Sequence, residues 1–295
     1  MRTTYLALFL TAALATTAFA QNDFSKVEVK AQKVAGSVYM LTGAGGNIGV
    51  SVGDDGIVLI DDQYAPLAPK IEAALKTITD KPVRFIINTH WHGDHTGGNE
   101  HFGRTAPIIS HENARKRLAA GMNIPNRVVP PAPKGALPVL TFNQTLTVHL
   151  NGEDVRALHL PNGHTDGDAV IFFTQSNVVH MGDDFFNGMF PFIDFDSGGS
   201  VTGLIANVER VLGTVPDDVK IIPGHGPLGD KAALRAFADL LKATRAAVEA
   251  GLKAGKTAEQ LKADKVLEPW AKYATSFMPV ERFTDLMVRD LTAKR

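Results

Sequence analysis

The chain is organised around residues 89–98, which read Thr-His-Trp-His-Gly-Asp-His-Thr-Gly-Gly. Within it, six consecutive positions hold four side chains that can bind a metal, namely His90, His92, Asp94 and His95. Imidazole suits zinc, iron, copper or nickel, and a carboxylate also tolerates harder cations. The alternative is a polar loop that holds histidines by chance, which is rare for a cluster this dense in a chain with ten histidines. We therefore predict a metal site here.

The residues before this stretch predict a short buried strand, because four of the six residues of Val83–Asn88 are apolar. Side chains two positions apart on an extended segment point the same way, so His90 and His92 can reach one ion together. Asp94 and His95 fall where the chain should turn into a helix, and they can point elsewhere. The stretch thus has ligands for more than one ion.

The N-terminal residues 1–20 have the pattern of a secretory signal peptide. Arg2 is their only charge, residues 5–15 are apolar, and Ala18-Phe19-Ala20 fits a cleavage site for small residues. The alternative is an uncleaved N-terminal anchor. We expect cleavage, and therefore a periplasmic or secreted protein of residues 21–295 with no stable membrane insertion.

Composition narrows the function further. The formal net charge is −1, so the chain has no basic field that would attract nucleic acid, and we expect a small-molecule substrate. The chain contains no cysteine, which excludes disulfides and thiolate ligands. Any metal site is therefore built from nitrogen and oxygen.

Two further loops present histidines in the same way. His164 follows the predicted strand Val155–Leu160 in a loop rich in Gly and Asp, which is the context of His90, so we take it as the third ligand of the first ion. His225 lies in residues 223–227, Pro-Gly-His-Gly-Pro, whose glycines and prolines fix the backbone as a preorganised ligand requires.

Two carboxylates also stand at the ends of apolar strands. Asp61 follows Ile57–Ile60, where it could accept a hydrogen bond from a ligand imidazole or simply be a hydrogen-bonded strand-end carboxylate. Asp183 follows Val178–His180 and a glycine, where it could bridge two metals. Taken alone, it would be interpreted as a turn aspartate.

Other patterns predict the scaffold. Apolar runs separated by glycine turns over residues 27–60 predict an antiparallel meander. Ser110 is the expected N-cap of the helix that follows it. Residues 231–251 predict a long helix, and Phe277–Phe283 are expected in the core.

Two segments are candidate cleft walls. Residues 121–138 contain five prolines, which predict a loop that either lines a substrate cleft or only connects its neighbours. Residues 184–200 contain five phenylalanines, which suit an apolar substrate or core packing equally well. Four further histidines are expected to be structural: His101, His111, His149 and His159.

The repeated order of strand, ligand-bearing loop and helix predicts two β-sheets packed face to face and flanked by helices. In layered folds of this kind, loops at the strand ends lie along one edge of the molecule, where ligands bind. We expect the predicted ligands to meet at that edge.

Together these stretches resemble the metallo-β-lactamase superfamily. The shared motifs occur in the order of that family: His90-x-His92-x-Asp94-His95, Gly163-His164-Thr165, Gly182-Asp183 and Pro223-Gly224-His225-Gly226. The resemblance implies an α/β four-layer αββα sandwich of two similar halves, here one hydrolase domain over residues 21–295. It also implies a centre of two metal ions.

The resemblance divides the ligands between two ions. One ion would be held by His90, His92 and His164, and the other by Asp94, His95 and His225. Asp183 stands where the thioesterase and lactonase branches place a bridging aspartate and where the secreted β-lactamases with a cysteine ligand place that cysteine. Phe186 stands where those β-lactamases place a lysine that grips the substrate carboxylate.

The implied chemistry is hydrolysis by a hydroxide shared between two zinc ions, which lower the pKa of water to about 7. Asp94 would bind the second ion, orient this nucleophile and shuttle its proton. The predicted signal peptide favours β-lactam hydrolysis. Three alternatives stay open: a broad lactonase, thioesterase or phosphodiester hydrolase, a di-iron redox protein, and a non-catalytic metal-binding module.

Overall fold

The computed structural model describes residues 23–125 and 127–293, so the predicted signal peptide lies outside the described residues. The strands in chain order are β1 (Lys30–Ala35), β2 (Val38–Thr42), β3 (Ile48–Gly53), β4 (Gly56–Ile60), β5 (Val83–Ile87), β6 (Ile108–His111), β7 (Met122–Ile124), β8 (Arg127–Val129), β9 (Leu140–Phe142), β10 (Thr145–Leu150), β11 (Glu153–His159), β12 (Ala169–Phe173), β13 (Val178–His180), β14 (Lys220–Ile222) and β15 (Gly229–Asp230). The α-helices are α1 (Ala68–Lys76), α2 (Gly93–Thr96), α3 (Asn99–Phe102), α4 (Glu112–Ala120), α5 (Val201–Leu212), α6 (Lys231–Lys253), α7 (Ala258–Ala263) and α8 (Val280–Thr292).

The strands form two large sheets and one separate hairpin. The first sheet has the order β1-β2-β3-β4-β5-β6-β9, and the second has the order β10-β11-β12-β13-β14-β15. Strands β1 to β4 are successively antiparallel, which confirms the predicted meander. Strands β4, β5, β6 and β9 are parallel, so the loops after them leave from the same edge. Strands β7 and β8 pair only with each other in the described chain.

Side-chain alternation along the buried strand β4 shows how the layers stack. Val58 points into a buried cluster that it shares with Ile171 of β12, which is the layer between the sheets. The adjacent Leu59 points the other way, into a cluster shared with Ile71 of α1. Because successive residues of a strand face opposite sides, a continuously apolar strand such as this one must be covered on both faces.

The second sheet is covered in the same way by C-terminal helices. Val170 of β12 belongs to a buried cluster with Val208 of α5, Leu241 of α6 and Phe283 of α8. The order of layers is therefore helix, sheet, sheet, helix. This confirms the predicted αββα sandwich.

Some local predictions need correction. The N-cap of α4 is His111, not Ser110: the His111 ring accepts a hydrogen bond from the Asn113 backbone N–H, while Ser110 continues strand β6. Phe277 is 57% exposed and therefore not a core residue, whereas Phe283 is fully buried as expected. Within the described residues, no helix is long and apolar enough to span a membrane.

The proline-rich segment is also more regular than expected. Residues 121–138 contain the hairpin β7–β8 and a short 3₁₀ helix, Lys134–Ala136. The prolines lie outside strands β7 and β8, so they remove none of the backbone hydrogen bonds between these two strands. Among the described residues of this segment, only Arg127 lines the cavity at the strand ends, so the segment contributes to the cleft through one side chain.

Candidate metal centre

The predicted ligands converge at one edge of the sandwich. The loops that carry them follow β5 of the first sheet and β11, β13 and β14 of the second sheet. The ends of these strands lie on the same side of the sandwich. Short helix α2 turns the chain immediately after His92 and places Asp94 and His95 in a second group of candidate ligands, although the centroid of the His95 ring lies only 4.2 Å from that of His90. The structure brings all seven predicted ligands into two adjacent groups.

The first group contains three histidines and one aspartate. The candidate ligand atoms of His90, His92, His164 and Asp183 all lie within 4.8 Å of one another. Nδ1 of His92 and Nε2 of His164 are only 2.8 Å apart. All four residues are buried, so their nitrogen and oxygen atoms face each other rather than bulk water.

The second group lies beside the first and is more open. The candidate ligand atoms of Asp94, His95 and His225 also lie within 4.8 Å of one another. Nε2 of His225 is 3.3 Å from Oδ2 of Asp94 and 3.4 Å from Nε2 of His95. His95 is fully buried, whereas the side chains of Asp94 and His225 are each 23% exposed. Substrate can therefore approach from this side.

Asp183 stands between the two groups. Its Oδ2 lies 3.3 Å from Nε2 of His164 in the first group. Its Oδ1 lies 3.1 Å from Nε2 of His95 and 3.4 Å from Nε2 of His225 in the second group. One carboxylate oxygen thus faces each group, which is the placement that a bridging ligand needs.

Two unsatisfied atoms indicate that these groups fit metal ions. Nε2 of His90 and Oδ1 of Asp183 are buried without an aligned hydrogen bond. A buried polar atom without a partner is costly, and in native proteins it calls for an ion or another partner. The donors are imidazole and carboxylate, a set that suits zinc and also iron. The donor set and its orphaned atoms are what a pair of such ions requires.

Asp61 holds one ligand ring in place. Its Oδ2 accepts a hydrogen bond from Nδ1 of His95 at 2.8 Å, and its two oxygens also accept from the backbone N–H and hydroxyl of Thr89. Because Nδ1 carries the proton, Nε2 of His95 keeps its lone pair for an ion. The interpretation of Asp61 as a partner of a ligand imidazole agrees with this contact.

Sequence reasoning missed the partner of His92. Oδ2 of Asp194 lies 2.7 Å from Nε2 of His92, and the same carboxylate accepts from Arg127 and Ser197. Asp194 follows no strand, so the strand-end signal that marked the other carboxylates is absent. The third histidine, His164, donates from Nδ1 to the carbonyl of Phe192 at 2.8 Å, which leaves its Nε2 free.

The electrostatics of the centre favour ionised carboxylates. Burial opposes ionisation of Asp183, but His95, His225, His164 and His90 together hold its pKa well below the usual range. Burial likewise opposes ionisation of Asp94, yet His95 and His225 lower its pKa to about 2. Burial lowers the pKa of His164 to about 4, which keeps this ring neutral at pH 7. Burial opposes protonation of His225 and His95, but Asp183 and Asp94 raise the pKa of His225 to about 9 and that of His95 well above its usual range. Because metals bind neutral imidazole and ionised carboxylate, an ion at the second group would displace protons from these two rings.

A cavity of about 660 Å³ opens over both groups. Its floor includes His92, Asp94, Asp183 and His225. Its walls are largely apolar and come from Phe186, Met189, Phe190, Phe192 and Phe277. Phe186 stacks on the His225 ring, with centroids 5.2 Å apart and an angle of 17°. Of the phenylalanines of residues 184–200, Phe185 packs in the core and Phe192 lines the cavity.

The four histidines expected to be structural lie outside both groups. His101 pairs with Glu72, and His149 pairs with Asp154. The His111 and His159 rings stack on each other, 3.7 Å apart. None of them belongs to a ligand group among the described residues.

Comparisons with known proteins agree with this geometry. The metallo-beta-lactamase superfamily model matches residues 41–229. The chain is 28% identical over 208 residues to the 2,4-dinitroanisole O-demethylase subunit alpha of Nocardioides sp. (strain JS1661), a match that covers 69% of this chain and 59% of the relative. It is 26% identical over 189 residues to the metallo-beta-lactamase type 2 of Bacteroides fragilis, covering 60% of this chain and 71% of the relative.

A third relative and a solved structure widen the comparison. The hydroxyacylglutathione hydrolase of Nitrosococcus oceani is 29% identical over 143 residues, covering 48% of this chain and 47% of the relative. A metallo-beta-lactamase structure from Pontibacter korlensis superposes with a TM-score of 0.61 and 22% identity, covering 73% of this chain and 99% of that structure. The match to the superfamily model spans both ligand groups and most strands of both sheets. The chain therefore belongs to the metallo-beta-lactamase superfamily.

Proposed function

We propose that this protein is an exported hydrolase that uses two zinc ions, and that β-lactam ring opening is its leading activity. One observation carries the proposal: Asp183 presents one oxygen to each ligand group at the floor of an open cavity. Zinc ions, when bound, polarise a substrate carbonyl and supply a hydroxide nucleophile near neutral pH.

The residues of the chain have distinct roles in this proposal. His90, His92 and His164 hold the first ion, and Asp94 and His225 hold the second together with the buried His95. The ionised Asp94 is also placed to accept the proton of the attacking water, because its side chain is partly exposed to the cavity. The apolar walls exclude water from the rest of the substrate.

The related proteins support the choice of reaction class. One relative is a metallo-beta-lactamase and another is a hydroxyacylglutathione hydrolase, so cyclic amides and thioesters are both candidate substrates. Phe186 favours the second candidate function, a lactonase, thioesterase or phosphodiester hydrolase, because a phenyl ring at this position cannot pair with a β-lactam carboxylate. A di-iron redox protein is a further alternative, because one relative is an O-demethylase subunit and the same nitrogen and oxygen donors suit iron.

The test is a substrate panel on zinc-loaded protein with metal analysis. We expect two zinc ions per chain and turnover of nitrocefin, with a lactone, a thioester and an aryl phosphodiester as competing substrates. His92→Ala should lower turnover by orders of magnitude, and His101→Ala is the matched control because His101 pairs with Glu72 outside both groups. Two iron ions with an oxygen-dependent reaction would refute the zinc hydrolase. A zinc-loaded protein that turns over none of the four substrates would instead be a metal-binding module.

A further inference from the structure

Arg282 lines the cavity that opens over the two ligand groups. It belongs to the first turn of α8 and is exposed. Its guanidinium carbon is 4.5 Å from the ring centroid of Phe277 and 5.8 Å from that of Phe192. Its Nη1 donates to the carbonyl of Phe277 at 2.6 Å. These contacts orient a planar, permanently charged group beside the cavity.

Arg282 differs from the other arginine in the cavity wall, Arg127, in whether a carboxylate compensates its charge. Arg127 forms a salt bridge with the buried Asp194 over 2.9 Å, so its charge is compensated. No carboxylate in the described part of the chain forms an ion pair with Arg282. The hydrogen bond from Arg282 to the carbonyl of Phe277 uses one of its donors. Since a guanidinium carries five N–H donors, most of those on Arg282 are available to a ligand.

One phenyl ring connects Arg282 to the ligand groups. The ring of Phe192 lies 6.1 Å from that of His92 and 5.9 Å from that of His164, measured between centroids. The same ring contacts the Arg282 guanidinium. A molecule that packs on Phe192 can therefore place one end at the ligand groups and the other at Arg282.

We propose that Arg282 binds an anionic group, a carboxylate or a phosphate, of an apolar substrate whose scissile bond lies over Asp183. This inference rests on the proposed function, since it assumes that the substrate occupies this cavity. Arg282, Phe277 and Thr275 all line the cavity and all lie beyond residue 229, where the match to the superfamily model ends. The C-terminal segment thus supplies a specificity-determining residue that the shared motifs do not contain.

The first test compares an acid with its neutral ester. Zinc-loaded wild type, Arg282→Gln and Arg282→Lys are assayed with benzylpenicillin and with its methyl ester. Loss of one charge-assisted contact should raise KM for the acid about tenfold and leave kcat nearly unchanged. The ester should not distinguish the variants, and lysine should restore part of the loss. Arg235→Gln is the control, because Arg235 pairs with Glu209 on the helical surface.

The second test does not depend on turnover. Calorimetry on the zinc-loaded proteins measures binding of 4-phenylbutyrate, phenyl phosphate and the neutral 4-phenylbutyramide. Weaker binding of either anion by Arg282→Gln, with amide binding unchanged, supports the proposal and identifies the preferred anion. Equal binding of both anions by wild type and Arg282→Gln overturns it. If neither penicillin derivative is hydrolysed while anion binding still depends on Arg282, the β-lactam assignment fails and the anion site stands.

Discussion

Nε2 of His92 donates a hydrogen bond to Oδ2 of Asp194 over 2.7 Å, and Asp194 is almost completely buried. Burial opposes ionisation of this carboxyl, but the hydrogen bonds from His92 and Ser197 and the charge of Arg127 lower its pKa below the usual range. An ionised partner fixes the proton on Nε2 of His92 and directs Nδ1 toward the first ion.

Replacement of Asp194 should therefore weaken metal binding without removing a ligand. We expect Asp194→Asn to lower the zinc affinity of the first group about 10- to 100-fold, because the amide no longer fixes the His92 ring and its tautomer. Competition with a chromogenic chelator measures this affinity. Asp196→Asn is the control, since Asp196 pairs with Arg289 at the surface. Unchanged zinc affinity in Asp194→Asn would contradict the assigned role.

Removal of the shared carboxylate should affect both ions. Because Asp183 presents one oxygen to each ligand group, Asp183→Ala takes a donor from both and leaves the histidines mutually repulsive when protonated. We expect the zinc content to fall below two ions per chain, with turnover lost, as measured by mass spectrometry of the native protein. Asp218→Ala is the control because Asp218 lies on the surface, outside both ligand groups, and accepts a hydrogen bond from the side-chain amide of Asn177. Full occupancy of two ions in Asp183→Ala would rule out a bridging role.

A glycine beside His95 should tolerate no side chain. A Cβ on Gly46 would lie 2.5 Å from Nε2 of His95 and closer still to the neighbouring ring carbon. His95 is fully buried and held by Asp61, so its ring cannot move aside freely. We expect Gly46→Ala to lose the second ion first, seen as a drop in zinc stoichiometry, while Gly135→Ala, where a Cβ meets nothing within 4 Å, keeps both. Two tightly bound ions in Gly46→Ala would show that the His95 ring can bind its ion with a side chain at position 46.

The stacked pair His111 and His159 should make stability depend on pH. Burial and the neighbouring His159 lower the pKa of His111 to about 4, against about 6.5 for an unfolded histidine. The unfolded chain therefore binds a proton that the folded chain does not between these values, so stability is present above about pH 6.5 and is lost as pH falls toward 4. The full difference between the two pKa values corresponds to about 3 kcal/mol, of which about 2 kcal/mol is lost between pH 7 and pH 5.

The variant His111→Asn tests this dependence. Asparagine is also a good N-cap for α4, so the helix start is preserved. Urea unfolding at pH 7 and pH 5 should show a smaller loss of free energy of unfolding in His111→Asn than in wild type. An equal loss in both proteins would assign the acid sensitivity to other groups.

The strand-end signal explains which site residues could be predicted from the sequence. His164 and Asp183 can be predicted because each follows an apolar strand, and β11 and β13 run in the same direction on either side of the antiparallel β12, so their ends lie at the same edge. Asp194 and Arg282 were missed because one lies in an irregular segment and the other in a helix far along the chain. Their positions depend on how layers pack, which local patterns do not encode.

The errors in local structure have the same origin. Ser110 is the better N-cap by propensity, yet pairing of β6 with β9 extends the strand by one residue and makes His111 the cap. Phe277 is apolar, but it covers the Arg282 guanidinium at the cavity rim instead of entering the core. In both cases a tertiary contact overrides the local preference.

The origin of the ligands along the chain has a consequence for maturation. Each ligand group combines residues from before position 100 with residues from after position 160. A nascent chain therefore has no complete binding site until both sheets have docked. Metal loading should be the final step of folding, and tight metal retention should report that the two halves have assembled correctly.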